Sequence, residues 1–110
     1  MDEIVVLITV GSEAEARNIA TVLVEKRLVA CVNILPGVQS IFRWEGEVAE
    51  ERECLLMAKT VNSVFDHVAS TVKSLHSYSV PEVIALPIQQ GLSEYLSWIG
   101  EATLEAREAT

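Results

Sequence analysis

The chain has 110 residues, of which 16 are Asp or Glu and 8 are Lys or Arg, so its net charge is −8 with neutral histidines. This length predicts one domain, and an apolar fraction of 50% excludes intrinsic disorder. The negative charge argues against nucleic acid as a partner, because proteins that bind it carry basic surfaces. Apolar runs such as residues 4–8 are far shorter than the roughly 20 residues that span a bilayer, so we predict no membrane segment.

The residues around the N-terminus and the two cysteines bear on location. Asp2 and Glu3 precede the first apolar run, where a signal peptide carries positive charge. Cys31 and Cys54 do not form a Cys-x-x-Cys pair, and we expect free thiols in a reducing compartment. We therefore predict a cytosolic protein.

The chain opens with a predicted strand and helix. Residues 3–10 are β-branched and nearly all apolar on both faces, which is typical of a strand covered on both sides. Ser12 stands three residues before Glu15, the spacing of a capping box. Apolar residues then recur at helical spacing as far as Leu28, which predicts an amphipathic helix of about four turns.

A long hairpin is predicted next. Residues 29–44 read as a strand that Pro36-Gly37 interrupts, as a β-bulge would. Glu45-Gly46 predicts the turn, and residues 48–60 return as the second strand.

The second half repeats the alternation of helix and strand. Apolar spacing predicts a helix over residues 62–76 and a strand over 82–89. A short helix is predicted from Gly91, and the Ala- and Glu-rich tail at 101–110 can extend it.

The order of these elements predicts an α+β fold with a single ferredoxin-like domain over residues 1–110. This fold is a split βαβ arrangement, with a long hairpin between its second and third strands and a C-terminal helix. Right-handed crossovers place both long helices on one face of the sheet. The first strand shows no alternation of polar and apolar side chains that would suit water on the other face, so one chain alone exposes an apolar patch there. We therefore predict an oligomer.

The cysteines and the first candidate histidine each allow two interpretations. Cys31, within a predicted strand, is either a buried thiol that packs like a small apolar side chain or a soft ligand for Cu(I) or another thiophilic metal. Cys54 is expected to pack in the core or an interface, on a strand whose Leu55 and Met57 are predicted to face inward. His76 follows a helix and either interacts with its last carbonyls or serves as a metal ligand or proton shuttle.

Three polar residues close to a proline turn can form a pocket: His76, Tyr78 and Glu82 lie within seven positions of one another. The sequence contains no nucleotide-binding, serine-hydrolase or zinc-peptidase motif. No nucleophile or oxyanion device accompanies His76, so we predict a protein that is not an enzyme. Catalysis by His76 as general acid or base is the weakest alternative.

Long, ordered motifs run through the chain as far as about Ile99. They are Leu28-Val29-Ala30-Cys31-Val32-Asn33-Ile34, Pro36-Gly37-Val38, Ser40-Ile41-Phe42-Arg43-Trp44, Glu53, Leu55-Leu56, Lys59-Thr60, Val80-Pro81-Glu82-Val83-Ile84-Ala85-Leu86-Pro87-Ile88, Gly91, Tyr95-Leu96 and Trp98-Ile99. Together they resemble the CutA family of divalent-ion tolerance proteins.

The resemblance implies a ferredoxin-like subunit in a tight homotrimer, similar in architecture to the PII signalling proteins, with the long hairpin reaching a neighbouring subunit. It also implies tolerance of copper and other divalent metals. The family's metal residues correspond to Cys31, His76 and Glu82. Candidate cleft residues are Tyr78, Trp44 and Lys59, and we predict no organic cofactor.

Two serines depart from the family pattern, which reads His-Pro-Tyr-Glu-Val-Pro-Glu where this chain has residues 76–82. Ser77 lacks the rigid turn that proline sets. Ser79 lacks a carboxylate, so a site that needs this acid is weaker here or uses Glu82 instead.

Two functions follow. The favoured one is a cytosolic homotrimer in the tolerance of, or response to, divalent metal ions that binds copper. Two ligands from one chain are too few for a closed zinc site, so subunit interfaces would supply the rest. The alternative is a PII-like small-molecule sensor or adaptor trimer that does not handle metal directly.

Overall fold

A computed structural model of the chain describes residues 2–109. The elements in chain order are β1 (Glu3–Val10), α1 (Glu13–Glu25), β2 (Cys31–Trp44), β3 (Glu47–Val61), α2 (Phe65–Leu75), β4 (Val83–Pro87), α3 (Ser93–Ala102) and α4 (Leu104–Ala109). A 3₁₀ turn at Asn62–Val64 leads into α2. No helix within these residues is both long enough and apolar enough to cross a membrane.

The four strands form one antiparallel sheet in the order β2-β3-β1-β4. This order, with a helix between β1 and β2 and another between β3 and β4, confirms the predicted ferredoxin-like fold. The tail predicted at 101–110 comprises the last turn of α3 and, after Thr103, the separate short helix α4, while residue 110 lies outside the described residues.

Strict alternation along β1 separates the two faces of the sheet. Ile4, Val6, Ile8 and Val10 are at most 5% exposed and belong to one core cluster with the buried residues of α1 and α2. The members contributed by the two helices are Ala16, Ile19, Leu23, Val68 and Val72.

The opposite side of the sheet carries apolar side chains that remain partly exposed in the chain. We call this surface the open face. It consists of Leu7, Leu35, Leu55, Met57, Ile84 and Leu86, whose positions follow from the strand registers.

Local predictions made from the sequence are met at the first helix and in the hairpin. The Glu15 backbone N–H donates to Ser12 Oγ over 3.2 Å, which caps α1. The β2–β3 register shifts between Leu35 and Val38, at the predicted bulge. The hairpin turn has positive φ at both Glu45 (50°) and Gly46 (83°), as in two-residue hairpin turns.

One prediction about β3 is wrong. Cys54, Leu56 and Ala58 point into the core, whereas Leu55 and Met57 lie on the open face and are half-buried. The reason is that this segment is apolar on both faces, so its pattern does not mark the inward side.

Beyond the bulge the hairpin extends away from the core. We call residues 38–53 the arm. The arm contributes to an elongated shape of 43 × 27 × 23 Å. Its surface is apolar in places, since Ile41 is 70% and Val48 68% exposed.

Candidate functional site

A cleft of about 870 Å³ lies where the arm meets the loop between α2 and β4. In the β2–β3 register Ser40 pairs with Glu51 and Phe42 with Ala49. Paired residues point to the same face of a sheet, so alternate residues of both strands line one wall of the cleft. The lining from β2 and β3 includes Ser40, Phe42, Trp44, Ala49, Glu51 and Glu53, and the loop adds Tyr78, Ser79, Val80 and Glu82.

A hydrogen bond between Tyr78 and Glu53 ties the loop to the base of the arm. The Tyr78 hydroxyl donates to Glu53 Oε2 over 2.8 Å, and the Glu53 side chain is buried. Burial, followed by this bond and the charge of Glu53, raises the pKa of Tyr78 to about 12, so the phenol stays protonated at neutral pH. Gly11 makes room for the ring, because a Cβ there would lie 3.1 Å from the Tyr78 oxygen.

The ring of His76 is buried between two backbone groups. Its Nε2 lies 2.8 Å from the Thr9 carbonyl oxygen, and its Nδ1 accepts from the Tyr78 N–H over 3.0 Å. A carbonyl only accepts and an amide N–H only donates, so these partners assign the neutral tautomer with hydrogen on Nε2. A metal ion at His76 would have to displace one of these two bonds.

Ser77 donates two hydrogen bonds that a proline at this position, as in the family pattern, could not donate. Its N–H and hydroxyl donate to the two carboxylate oxygens of Glu15, over 2.6 and 2.9 Å. Glu15 Oε2 also lies 3.6 Å from His76 Nδ1. Sequence reasoning missed this role, because the capping-box spacing predicts that the Glu15 carboxylate turns back to the Ser12 N–H. In the structure that carboxylate bonds to Ser77 instead.

Cys31 lies in a different part of the sheet. It pairs with Lys59, whose Nζ is 3.9 Å from Cys31 Sγ and also contacts Asn33 Oδ1. Burial and the neighbouring Cys31 raise the pKa of Tyr95. Of the three predicted cleft residues, Tyr78 and Trp44 line the cleft, whereas Lys59 lies beside Cys31.

The predicted metal residues do not converge within one chain. Cys31 pairs with Lys59, and Lys59 pairs in turn with Val5 of β1. His76 bonds to Thr9, which lies four residues, or about 13 Å, further along β1 than Val5. Glu82 is exposed and lines the cleft. Among residues 2–109 no three His, Cys, Asp or Glu side chains form a group that could hold a metal ion.

Comparisons with known proteins agree with the fold and the motifs. A model of the CutA1 divalent ion tolerance protein family matches residues 4–102. The divalent-cation tolerance protein CutA of Thermus thermophilus is 57% identical over 101 residues, which are 92% of this chain and 98% of that protein. Protein CutA of Homo sapiens is 45% identical over 96 residues, and the matched part is 87% of this chain but only 54% of the human protein.

Solved structures give the same result. The divalent cation tolerance protein Cut A1 of Thermus thermophilus has a TM-score of 0.90, and the match covers 92% of this chain and 98% of that one. A structure described as the periplasmic divalent cation tolerance protein CutA of Archaeoglobus fulgidus is 42% identical, with a TM-score of 0.89 and coverage of 92% and 98%. Because the fold, the motifs and the relatives all agree, the chain belongs to the CutA1 divalent ion tolerance protein family.

Proposed function

We propose that this chain acts in the tolerance of divalent cations as a homotrimer that responds to a small ligand in the cleft between the arm and the loop 78–82. The observation that carries the proposal is the cleft itself. Its volume of about 870 Å³ is in the range of sites for small organic molecules, and its lining combines aromatic and aliphatic side chains with polar and acidic ones. The names of the relatives supply the link to divalent cations.

Self-association is supported by the open face. Ile84 and Leu86 are 50% and 52% exposed beside half-buried Leu7 and Met57, and together they form a contiguous apolar surface. Such a surface is costly to leave in water, and a second copy of the chain offers matching apolar area. The copy number of three follows from the resemblance to the family.

Direct copper binding is the second candidate, and the position of Cys31 favours it. This free thiol is only half-buried and pairs with Lys59 at one end of the open face. Cu(I) accepts soft sulfur ligands in low number, so thiolates from different subunits can share one ion. In this case the interface, and not one chain, would form the site.

Three measurements test these candidates. Native mass spectrometry gives the copy number, which both candidates require to be three. Anaerobic Cu(I) titration of the reduced protein, repeated with Cys31→Ser, and melting temperatures measured with organic ligands then separate them. A trimer with no copper affinity tighter than micromolar, but with a melting temperature raised by an organic ligand, supports the ligand-responsive function. Tight, saturable copper binding that is lost in Cys31→Ser supports the second candidate instead.

We also propose a cytosolic location. The support is that Cys31 and Cys54 are both free, as thiols are in a reducing compartment. Cell fractionation of the untagged protein tests it, and recovery from a periplasmic fraction would contradict it.

A further inference from the structure

We propose that the Glu15 carboxylate of α1 is a clasp for the loop 77–82, and that this loop opens when the carboxylate releases Ser77 while the rest of the subunit stays folded. Glu15 is then a positioning residue, because it sets the place of Tyr78 through Ser77. The clasp consists of bonds within one chain, so it requires neither a neighbouring copy nor a ligand in the cleft.

The loop 77–82 has no backbone hydrogen bonds that could hold its shape. Outside the helices and strands, none of the backbone-to-backbone bonds between residues 2–109 involves this loop. The last such bond before it runs from the His76 N–H to the Val72 carbonyl, and β4 begins only at Val83. The loop is therefore held by bonds to side chains, and these can open without disturbing a helix or a strand.

Ser77 provides the attachment at the start of the loop. Its N–H and hydroxyl donate to the two oxygens of the Glu15 carboxylate, over 2.6 and 2.9 Å. The Glu15 side chain is only 19% exposed, so water competes weakly for these oxygens. Bonds to a charged acceptor are stronger than bonds between neutral groups, which makes Glu15 the main anchor at this end of the loop.

The backbone at His76 shows that the anchor replaces a covalent restraint. His76 has φ of −80° and ψ of 142°, the extended conformation that a proline imposes on the residue before it. Serine at position 77 imposes no such conformation, and its N–H instead bonds to Glu15, 62 positions away in the chain. A proline ring restrains the backbone permanently, whereas a hydrogen bond can break and re-form. The loop is therefore held by a fastening that can be released.

Tyr78 follows Ser77, and its bonds depend on where Ser77 lies. The Tyr78 N–H donates to His76 Nδ1 over 3.0 Å, and its hydroxyl donates to Glu53 over 2.8 Å. Release of Ser77 gives the backbone between His76 and Tyr78 more freedom and exposes the Tyr78 N–H to water. Exchange of this amide hydrogen with solvent therefore reports the opening of the clasp.

Hydrogen exchange measured by NMR on the assembled protein, at one pH and one protein concentration, tests the inference. Glu15→Gln keeps the size of the side chain, but an amide group has one acceptor oxygen and cannot receive both Ser77 donors. We expect the Tyr78 amide to exchange at least about tenfold faster in this variant. The amide of Leu56, in the core strand β3, should exchange at the wild-type rate.

Glu13→Gln is the matched control. Glu13 also lies in the first turn of α1, and its replacement removes the same charge from the helix N-terminus without touching Ser77. We expect Tyr78 to exchange at the wild-type rate in this variant. Faster exchange in Glu13→Gln as large as in Glu15→Gln would overturn the inference, because the effect would then come from the helix.

A proline at position 77 provides the rescue. Adding Ser77→Pro to Glu15→Gln should return the exchange rate of Tyr78 to within about threefold of the wild type, because the ring restores the restraint at His76 without any bond to residue 15. The inference is overturned if Glu15→Gln leaves Tyr78 unchanged or if proline fails to slow its exchange. It is also overturned if Leu56 accelerates as much as Tyr78, since the loop would then open only together with the subunit.

Discussion

Tyr78 and Glu53 are joined by a 2.8 Å hydrogen bond in which the phenol donates and the carboxylate accepts. The two residues are 25 positions apart, and the bond connects the loop after α2 to the base of the arm. It therefore helps to set the width of the cleft. It also couples the protonation of a tyrosine to the folding of the chain.

The first prediction concerns high pH. The pKa of Tyr78 is raised from the ordinary tyrosine value of 10.0 to about 12 in the folded protein, so the folded state holds this proton more tightly than the unfolded state. The resulting stabilisation is fully present below pH 10 and is lost as the pH rises through 12. We expect the free energy of unfolding to fall over this window by more in the wild type than in Tyr78→Phe.

Absorbance titration at 295 nm checks the assignment. The other tyrosine, Tyr95, also has a raised pKa, so the signal of Tyr78 is taken as the difference between the wild type and Tyr78→Phe. A difference spectrum that titrates near pH 10 in the folded protein would contradict the prediction.

The second prediction is that His76 stabilises the fold without any metal. Replacing His76 by Ala removes the partners of the Thr9 carbonyl and the Tyr78 N–H. Two partly buried backbone groups that lose these bonds should reduce the free energy of unfolding by about 2–4 kcal/mol. Urea unfolding with a chelator present, at matched protein concentration, measures the loss. If His76→Ala unfolds like the wild type under chelation, the two hydrogen bonds are not stabilising.

The third prediction separates the two faces of β1. Val6 is fully buried under the helices, and Leu7, its neighbour, lies on the open face. Val6→Asp buries an unpaired charge and should prevent folding, whereas Leu7→Asp should leave the subunit folded and abolish assembly. Circular dichroism reports the fold and light scattering the mass. An assembled Leu7→Asp protein would show that the open face is not the interface.

The fourth prediction concerns the reactivity of Cys54. Burial and then the charge of Glu13 raise the pKa of this thiol, which is only 4% exposed. In a Cys31→Ser variant the remaining thiol should react with a disulfide reagent at least about tenfold more slowly than in the urea-unfolded chain. Rapid labelling of the folded variant would contradict the burial of Cys54.

The fifth prediction concerns the tip of the hairpin. Glu45 adopts φ of 50°, a left-handed conformation that costs a residue with a Cβ about 1 kcal/mol. Asn tolerates this conformation better, and Asn-Gly is the preferred pair in such turns, so Glu45→Asn should stabilise the protein by about 0.5 kcal/mol. Glu45→Gln removes the same charge without relieving the backbone. An equal gain in both variants would assign the effect to charge.

Local chemistry accounts for the parts of the fold that the sequence predicts well. Ser12 caps a helix, Pro36-Gly37 marks a bulge and Glu45-Gly46 makes a turn because each acts through its own backbone or that of near neighbours. The inward side of β3 was not predictable in this way. Leu55 and Leu56 are equally apolar, and only packing against the helices decides which one is buried.

The sequence by itself determined the order of the elements, the family and the presence of His76, Tyr78 and Glu82 around one proline turn. Only the tertiary structure decided what these residues contact. Glu53 reaches Tyr78 and Thr9 reaches His76 across 25 and 67 positions of the chain, while Cys31 and His76 end up apart. Such distant pairs depend on strand register and on helix packing, and both are set by burial of the whole apolar core.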